Sequence, residues 1–132
     1  MESPWVQLAV LCEDASQPDD AGLTITNLGD WANLAPGTRT VRTTLLVRLQ
    51  ATEPGTHDVA WRVTNEAGKT LEGASLSVDI NEVGVGTLVT FGIQLGGSDP
   101  GQYWFDVLVD GQVRSRVPMR VVSYVPESGQ AH

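Results

Sequence analysis

The chain has 132 residues, of which 41% are hydrophobic and 18% charged, and 16 acidic against 8 basic side chains give a formal net charge of −8. This composition excludes a disordered chain and suits one domain with a packed core. It also disfavours nucleic acid and anionic membranes as partners, because the acidic excess repels phosphate groups.

Alternation of apolar and polar side chains recurs along the chain, with Gly, Pro, Asn and Asp between the repeats. One buried and one solvated face per strand is typical of antiparallel sheets packed as a sandwich. We therefore predict an all-β, antiparallel, immunoglobulin-like β-sandwich of about 7–8 strands. The predicted strands are 5–12, 22–27, 40–50, 57–64, 71–80, 87–95, 102–108 and 112–122. The only segment compatible with a helical turn is 29–34.

The first strand, 5–12, lacks the basic segment and the longer apolar run of a signal peptide. It ends at Cys12, the only cysteine, which can form no internal disulfide. A chain without disulfides suits a reducing compartment. We therefore expect a cytoplasmic protein, and no segment long enough to span a membrane is present.

Residues 99–105 have the spacing of a tyrosine corner, in which a Tyr hydroxyl binds the backbone of the preceding loop. Asp99 and Gly101 precede Tyr103, and Phe105 stands where antibody domains have the second disulfide cysteine. We expect these four residues to have structural roles. We expect side-chain packing, and not a disulfide, to hold the two sheets of this core together.

A similar acid-Pro-Gly turn, 53–55, precedes His57 and Trp61. We interpret the similarity of the two turns as reuse of the same turn residues within one sandwich. In this frame Trp61 takes the place of the buried strand-C tryptophan of immunoglobulin-like domains. His57 matches the position of Tyr103, so we interpret it as structural.

The last two strands are predicted to form a hairpin whose loop is Val109-Asp110-Gly111, a type I turn closed by Gly111 in the left-handed conformation. A two-residue loop is rejected because it would mix the two faces. This register sets Val107 opposite Val113, Tyr103 opposite Val117, Asp106 opposite Arg114 and Trp104 opposite Arg116. Pro118 indicates a sheet edge, blunted by Arg114, Arg116 and Arg120.

No pattern in the sequence indicates catalysis or a cofactor. We expect no enzyme and no catalytic residue, since Cys12 reads as a buried, inert thiol and no Cys/His cluster has zinc spacing. Two acidic clusters leave an alternative open, a small-molecule or calcium-binding domain that uses its loops. The clusters are Glu13-Asp14 with Asp19-Asp20, and Asp99 with Asp110.

Exposed aromatic side chains are the better indication of function. Trp104 is predicted to face outward beside Arg116, and Trp31 lies in a loop near Leu34. Each has a local explanation: a cation–π pair for Trp104 and a cover over the sandwich end for Trp31. We expect a protein-interaction or scaffold module, contacting another protein or itself through these aromatics or an edge strand.

The segment 8–15, the turns at 54–57 and 100–105, and the segments 109–111 and 117–122 resemble a family of small uncharacterised bacterial proteins, mostly actinobacterial. The resemblance covers roughly residues 6–122 and implies a single immunoglobulin-like domain, with no activity to carry over. The chain differs by the polar stretch 16–20 and by its tail. We expect one domain over 1–124 and a disordered tail over 125–132.

Overall fold

A computed structural model describes residues 4–16, 24–29, 31–34, 39–81, 83–84, 86–96 and 99–123. Within these ranges every helix-or-strand element is a β-strand, which confirms the all-β class. The strands are β1 (Trp5–Cys12), β2 (Asp14–Ser16), β3 (Thr24–Thr26), β4 (Trp31–Leu34), β5 (Val41–Gln50), β6 (Gly55–Asn65), β7 (Thr70–Ile80), β8 (Thr87–Leu95), β9 (Gly101–Val109) and β10 (Gln112–Ser123).

Two main sheets carry most of these strands. One has the order β1-β5-β8 and the other the order β4-β10-β9-β6-β7, while β2 and β3 form a separate pair. All pairs are antiparallel except β4 with β10, which is parallel. The expectation of purely antiparallel sheets is therefore wrong at this edge.

The predicted strands agree with the structure to within about two residues wherever those residues are described, and 5–12 and 87–95 match at both ends. β2 and β4 were not predicted. The segment compatible with a helical turn, 29–34, instead contains a strand, since Trp31–Leu34 pairs with Arg120–Ser123 of β10. The predicted tail, 125–132, lies outside the described residues, as do Asp19 and Asp20.

One hydrophobic core lies between the two main sheets. Phe105 of β9 and Leu45 of β5 are both fully buried in it, although they belong to different sheets. Trp61 of β6 packs against Phe105 with ring centroids 5.6 Å apart. Each large apolar side chain buried in this way stabilises the fold by roughly 1.5–3 kcal/mol. The alternating apolar residues thus join the sheets as two layers.

The β9–β10 hairpin corrects the predicted register. Asp110 and Gly111 have φ angles of 50° and 82°, which define a two-residue loop of type I′. A bulge between Val113 and Ser115 then adds one residue to β10 and returns its later side chains to the expected faces. The prediction of a three-residue loop is therefore wrong, because the bulge allows a two-residue loop without mixing the two faces.

The shifted register changes which residues are opposite one another. Val113 lies opposite Leu108 and is exposed, so it is not a core partner of Val107. The observed pairs further along are Ser115 with Val107, Arg116 with Asp106, Val117 with Phe105, Pro118 with Trp104, and Met119 with Tyr103. Among the described strands, none pairs with β10 at Pro118 on the side away from β9, since β4 begins opposite Arg120.

Candidate functional site

The side chains that point away from the core on the five-stranded sheet form the most distinctive surface of the described chain. Arg62 of β6, Asp106 of β9 and Arg116 of β10 lie side by side in one row across three strands. Nε of Arg62 is 3.3 Å from Oδ2 of Asp106, and Nε of Arg116 is 3.2 Å from Oδ1. A single buried carboxylate therefore holds two half-exposed guanidinium groups.

Trp104 lies in the next row of this face, opposite Pro118 rather than opposite Arg116 as predicted. The guanidinium carbon of Arg116 nevertheless lies 5.0 Å from the centre of the Trp104 ring. The predicted cation–π neighbours are thus together, but they meet diagonally, because the shorter loop and the bulge each move β10 by one residue relative to β9. Such a pair contributes about 0.5–1 kcal/mol at an exposed site.

Trp31 extends this surface to the β4 edge. It lies opposite Arg120 of β10, and its side chain is 62% exposed. Leu34, at the other end of β4, is buried in the core and is not available at the surface. The expectation that Trp31 and Leu34 lie together in a loop is wrong, because the alternation of a strand directs them to opposite faces.

We call this surface the arginine–tryptophan face; its members are Trp31, Arg62, Trp104, Asp106, Arg116 and Arg120. Three of the eight basic residues of the chain are here, with one carboxylate among them. The face is therefore cationic although the chain as a whole carries a net charge of −8. The sharing of Asp106 is not predictable from the sequence pattern, because Arg62 is distant in the sequence and the predicted register assigns Arg114 to Asp106.

Of the predicted corner residues, Tyr103 and Phe105 lie on the side of β9 that faces the core, while Asp99 is exposed just before the strand. The Tyr103 hydroxyl donates to the carbonyl oxygen of Asp99 at 2.6 Å and accepts from the Asp99 N–H at 3.0 Å. The Asp99 carboxylate is paired with Arg39, and Glu66 accepts the N–H of Gln102. The corner thus fixes the start of β9 by backbone contacts.

His57 differs from Tyr103 in its partner, although both follow an acid-Pro-Gly turn. Nδ1 of His57 lies 2.7 Å from Oδ2 of Asp110, and His57 is buried. The hydrogen bond with His57 holds the pKa of Asp110 below its usual value, and the N–H of Asp58 acts in the same direction. This pair joins the β9–β10 turn to the start of β6.

The other candidate sites, at the acidic residues and at Cys12, bring fewer functional groups together than the arginine–tryptophan face does. The carboxylates of Asp99 and Asp110 are engaged with Arg39 and His57. In the part of the chain that the structure describes, no three His, Cys, Asp or Glu side chains gather as a metal site. A cleft of about 370 Å³ beside Trp31 includes Cys12 in its wall. Burial, followed by the charge of Asp14, raises the pKa of the Cys12 thiol, which disfavours the reactive thiolate.

The described residues also include no helix that is long and apolar enough to cross a membrane.

Fold and surface together define an all-β domain in which two sheets enclose one core and one outer sheet face carries clustered arginine and tryptophan side chains. The family model of DUF6941, a family of unknown function, matches residues 7–122. The chain therefore belongs to this family, and the predicted resemblance to an uncharacterised family is confirmed.

Solved structures share the fold at low sequence identity. A β-glucuronidase from glycoside hydrolase family 2 is 14% identical with a TM-score of 0.56, over 64% of this chain and 10% of that enzyme. A β-glucosidase from Listeria innocua in complex with gluconolactone is 13% identical with a TM-score of 0.54, over 90% of this chain and 16% of that enzyme. This chain thus spans a small part of these enzymes, and the likeness concerns the fold alone. No curated protein matches the sequence.

Proposed function

We propose that this protein is a non-enzymatic, cytoplasmic interaction module that binds a partner protein through its arginine–tryptophan face. The observation that carries the proposal is the grouping of Trp104 under Arg116 with the exposed Trp31 beside Arg120. Tryptophan and arginine are the side chains that most often dominate binding energy at protein interfaces. The lone Cys12 supports a reducing compartment.

The fold that presents this face is proposed to be immunoglobulin-like. Support comes from the Tyr103–Asp99 hydrogen bonds of a tyrosine corner and from Trp61 packed on Phe105 between two sheets. A rigid sheet is a suitable platform for such a surface, because its strands fix the spacing of the outward side chains.

The partner surface should carry carboxylates next to apolar groups. Arg62 and Arg116 share one carboxylate, so their guanidinium groups have further donors to offer. Arg120 adds a third positive charge to the same face. Planar guanidinium groups bind carboxylates with two parallel hydrogen bonds, while the indole rings contribute apolar contact area.

The test is affinity capture from a lysate of the source organism, using wild type, Trp31→Ala and Trp104→Ala. Trp5→Ala is the matched control, because Trp5 is 49% exposed but lies on β1 of the other main sheet. We expect proteins retained by wild type and by Trp5→Ala to bind more than tenfold more weakly to the other two variants. Equal retention by all four forms contradicts the proposal.

Sedimentation velocity of the same proteins tests self-association. If wild type and Trp5→Ala form a dimer that Trp104→Ala does not form, the partner at this face is a second copy of the chain. A monomer in all forms leaves a different protein as the partner, as proposed.

A further inference from the structure

The strand β7 forms one edge of the five-stranded sheet, and β4, which carries Trp31, forms the other edge. β7 is 11 residues long, and its first eight residues, 70–77, are exposed. β6 pairs with one side of it, and no described strand pairs with the other. The outer side of an edge strand presents unpaired N–H and C=O groups, which form a template for another strand.

Proteins usually protect such an edge with proline, with charged side chains (lysine above all), or with a covering segment. β7 contains no Pro, Lys or Arg. Two of its apolar side chains are exposed, Leu71 on the outer face of the sheet and Leu76 on the inner face next to the buried Val78. An added strand would therefore find apolar contacts on both faces.

All the charges on β7 are negative. Glu72 and Asp79 are both exposed, and Asp58 of the neighbouring strand lies 3.2 Å from the hydroxyl of Ser77. The nearest arginine on β6, Arg62, is opposite Gly73 and is engaged by Asp106. The edge thus has the opposite charge to the arginine–tryptophan face.

We propose that the β7 edge binds an extended, basic segment of a partner protein by strand addition. Main-chain hydrogen bonds supply the affinity in this mode, and alternate side chains supply the specificity. The charge argues against a second copy of this chain as the occupant. Self-pairing would bring Glu72 and Asp79 of two chains together, each chain carrying a net charge of −8.

The register of β7 defines the segment further. Glu72 and Leu76 are on the same face, four residues apart. The added strand should therefore carry a Lys or Arg four residues from an apolar, β-branched residue, both on the face directed toward the core. This inference rests on the proposed class of function, an interaction module, but on a surface separate from Trp104.

The test is a nuclear magnetic resonance titration of the ¹⁵N-labelled full chain with blocked peptides as long as β7. One peptide alternates Val and Thr and carries one arginine four residues from a valine; its control carries a glutamate in place of the arginine. We expect the arginine peptide to shift the β7 amide resonances and to slow their hydrogen exchange, and the glutamate peptide to do neither.

Three variants locate the contact. Glu72→Lys should weaken binding of the arginine peptide about fivefold, as loss of an exposed ion pair implies. Asp14→Lys makes the same change in net charge on β2, outside both main sheets, and should bind like wild type. Trp104→Ala should also bind like wild type, which separates this inference from the proposed face.

The proposal is overturned if the arginine peptide fails to bind at millimolar concentration, or if it shifts residues around Trp104 in place of β7. If Glu72→Lys and Asp14→Lys weaken binding of the arginine peptide equally, the peptide responds only to the net charge of the protein, and the proposal is likewise overturned. Concentration-dependent shifts of β7 without peptide would assign the edge to a second copy of the chain.

Discussion

Asp110 joins the turn between β9 and β10 to His57 at the start of β6, with Oδ2 of Asp110 2.7 Å from Nδ1 of His57. The other carboxylate oxygen accepts the N–H of Asp58 at 3.0 Å, and the N–H of Asp110 donates to the Asp58 carbonyl oxygen at 2.9 Å. Asp110 therefore connects the end of β9 to the start of the neighbouring strand β6. The stability of this connection should depend on the ionisation of Asp110.

The pH dependence of unfolding follows from the lowered pKa of Asp110. Its ordinary value is 3.8, and the folded-state value lies below this. A carboxyl group whose pKa is lowered by folding stabilises the fold while it is ionised. This contribution is present above the ordinary value and is lost as the pH falls through the folded-state value.

We expect the free energy of unfolding, measured with urea at a series of pH values below about 5, to fall less steeply for Asp110→Asn than for wild type. Asn tolerates the positive φ that Asp110 adopts, so the turn is retained. Parallel pH profiles for the two proteins would contradict a stabilising role for the ionised group.

Tyr103→Phe should reduce the free energy of unfolding by about 1 kcal/mol. The substitution keeps the buried ring but removes the hydroxyl that bonds to the backbone of Asp99 twice. Chemical denaturation measures the change. Asp99→Ala is the companion variant: it retains both backbone bonds and loses only the exposed pair with Arg39, so it should cost less than Tyr103→Phe.

Asp106→Asn should destabilise the protein by about 1–2 kcal/mol, because two guanidinium groups then lose their shared carboxylate. The same substitution should cost less when Arg62 and Arg116 are both replaced by Met. Thermal or urea unfolding is compared for wild type, for Asp106→Asn, for the double-Met variant and for the variant that combines all three changes. If Asp106→Asn lowers the free energy of unfolding equally in the double-Met background, the ion pairs with the arginines do not cause its effect.

Gly111→Ala should destabilise the protein by roughly 1 kcal/mol, since Gly111 has a φ of 82° that disfavours any residue with a Cβ atom. Open space surrounds the position, so the cost is conformational rather than steric. Gly92→Ala is the matched control: its added Cβ also meets nothing within 4 Å, and it lies in strand β8. Denaturation midpoints for the two variants should differ, and equal midpoints would argue against the type I′ turn.

Most of the strands were predictable because the alternation of side chains between two faces is a local property. Leu45 and Val47 alternate with Thr44 and Arg48, and the structure buries the first two together. The tyrosine corner was predictable for the same reason, since Asp99 and Tyr103 are four residues apart and their hydrogen bonds are local.

The pairing of distant segments was not predictable in this way. Trp31–Leu34 is a strand because the edge of β10 offers it backbone partners, and nothing within the segment itself indicates that edge. The β10 bulge similarly decides that Arg116, and not Arg114, reaches Asp106.

By itself, the sequence determined the all-β class, most strand positions and the residues that form the core, because each depends on side-chain periodicity over a few residues. Only the tertiary structure decided that Arg62 and Arg116 share Asp106 on the arginine–tryptophan face and that the acidic edge at β7 is open. Both depend on sheet order and register, which arise from hydrogen bonding between segments far apart in the chain.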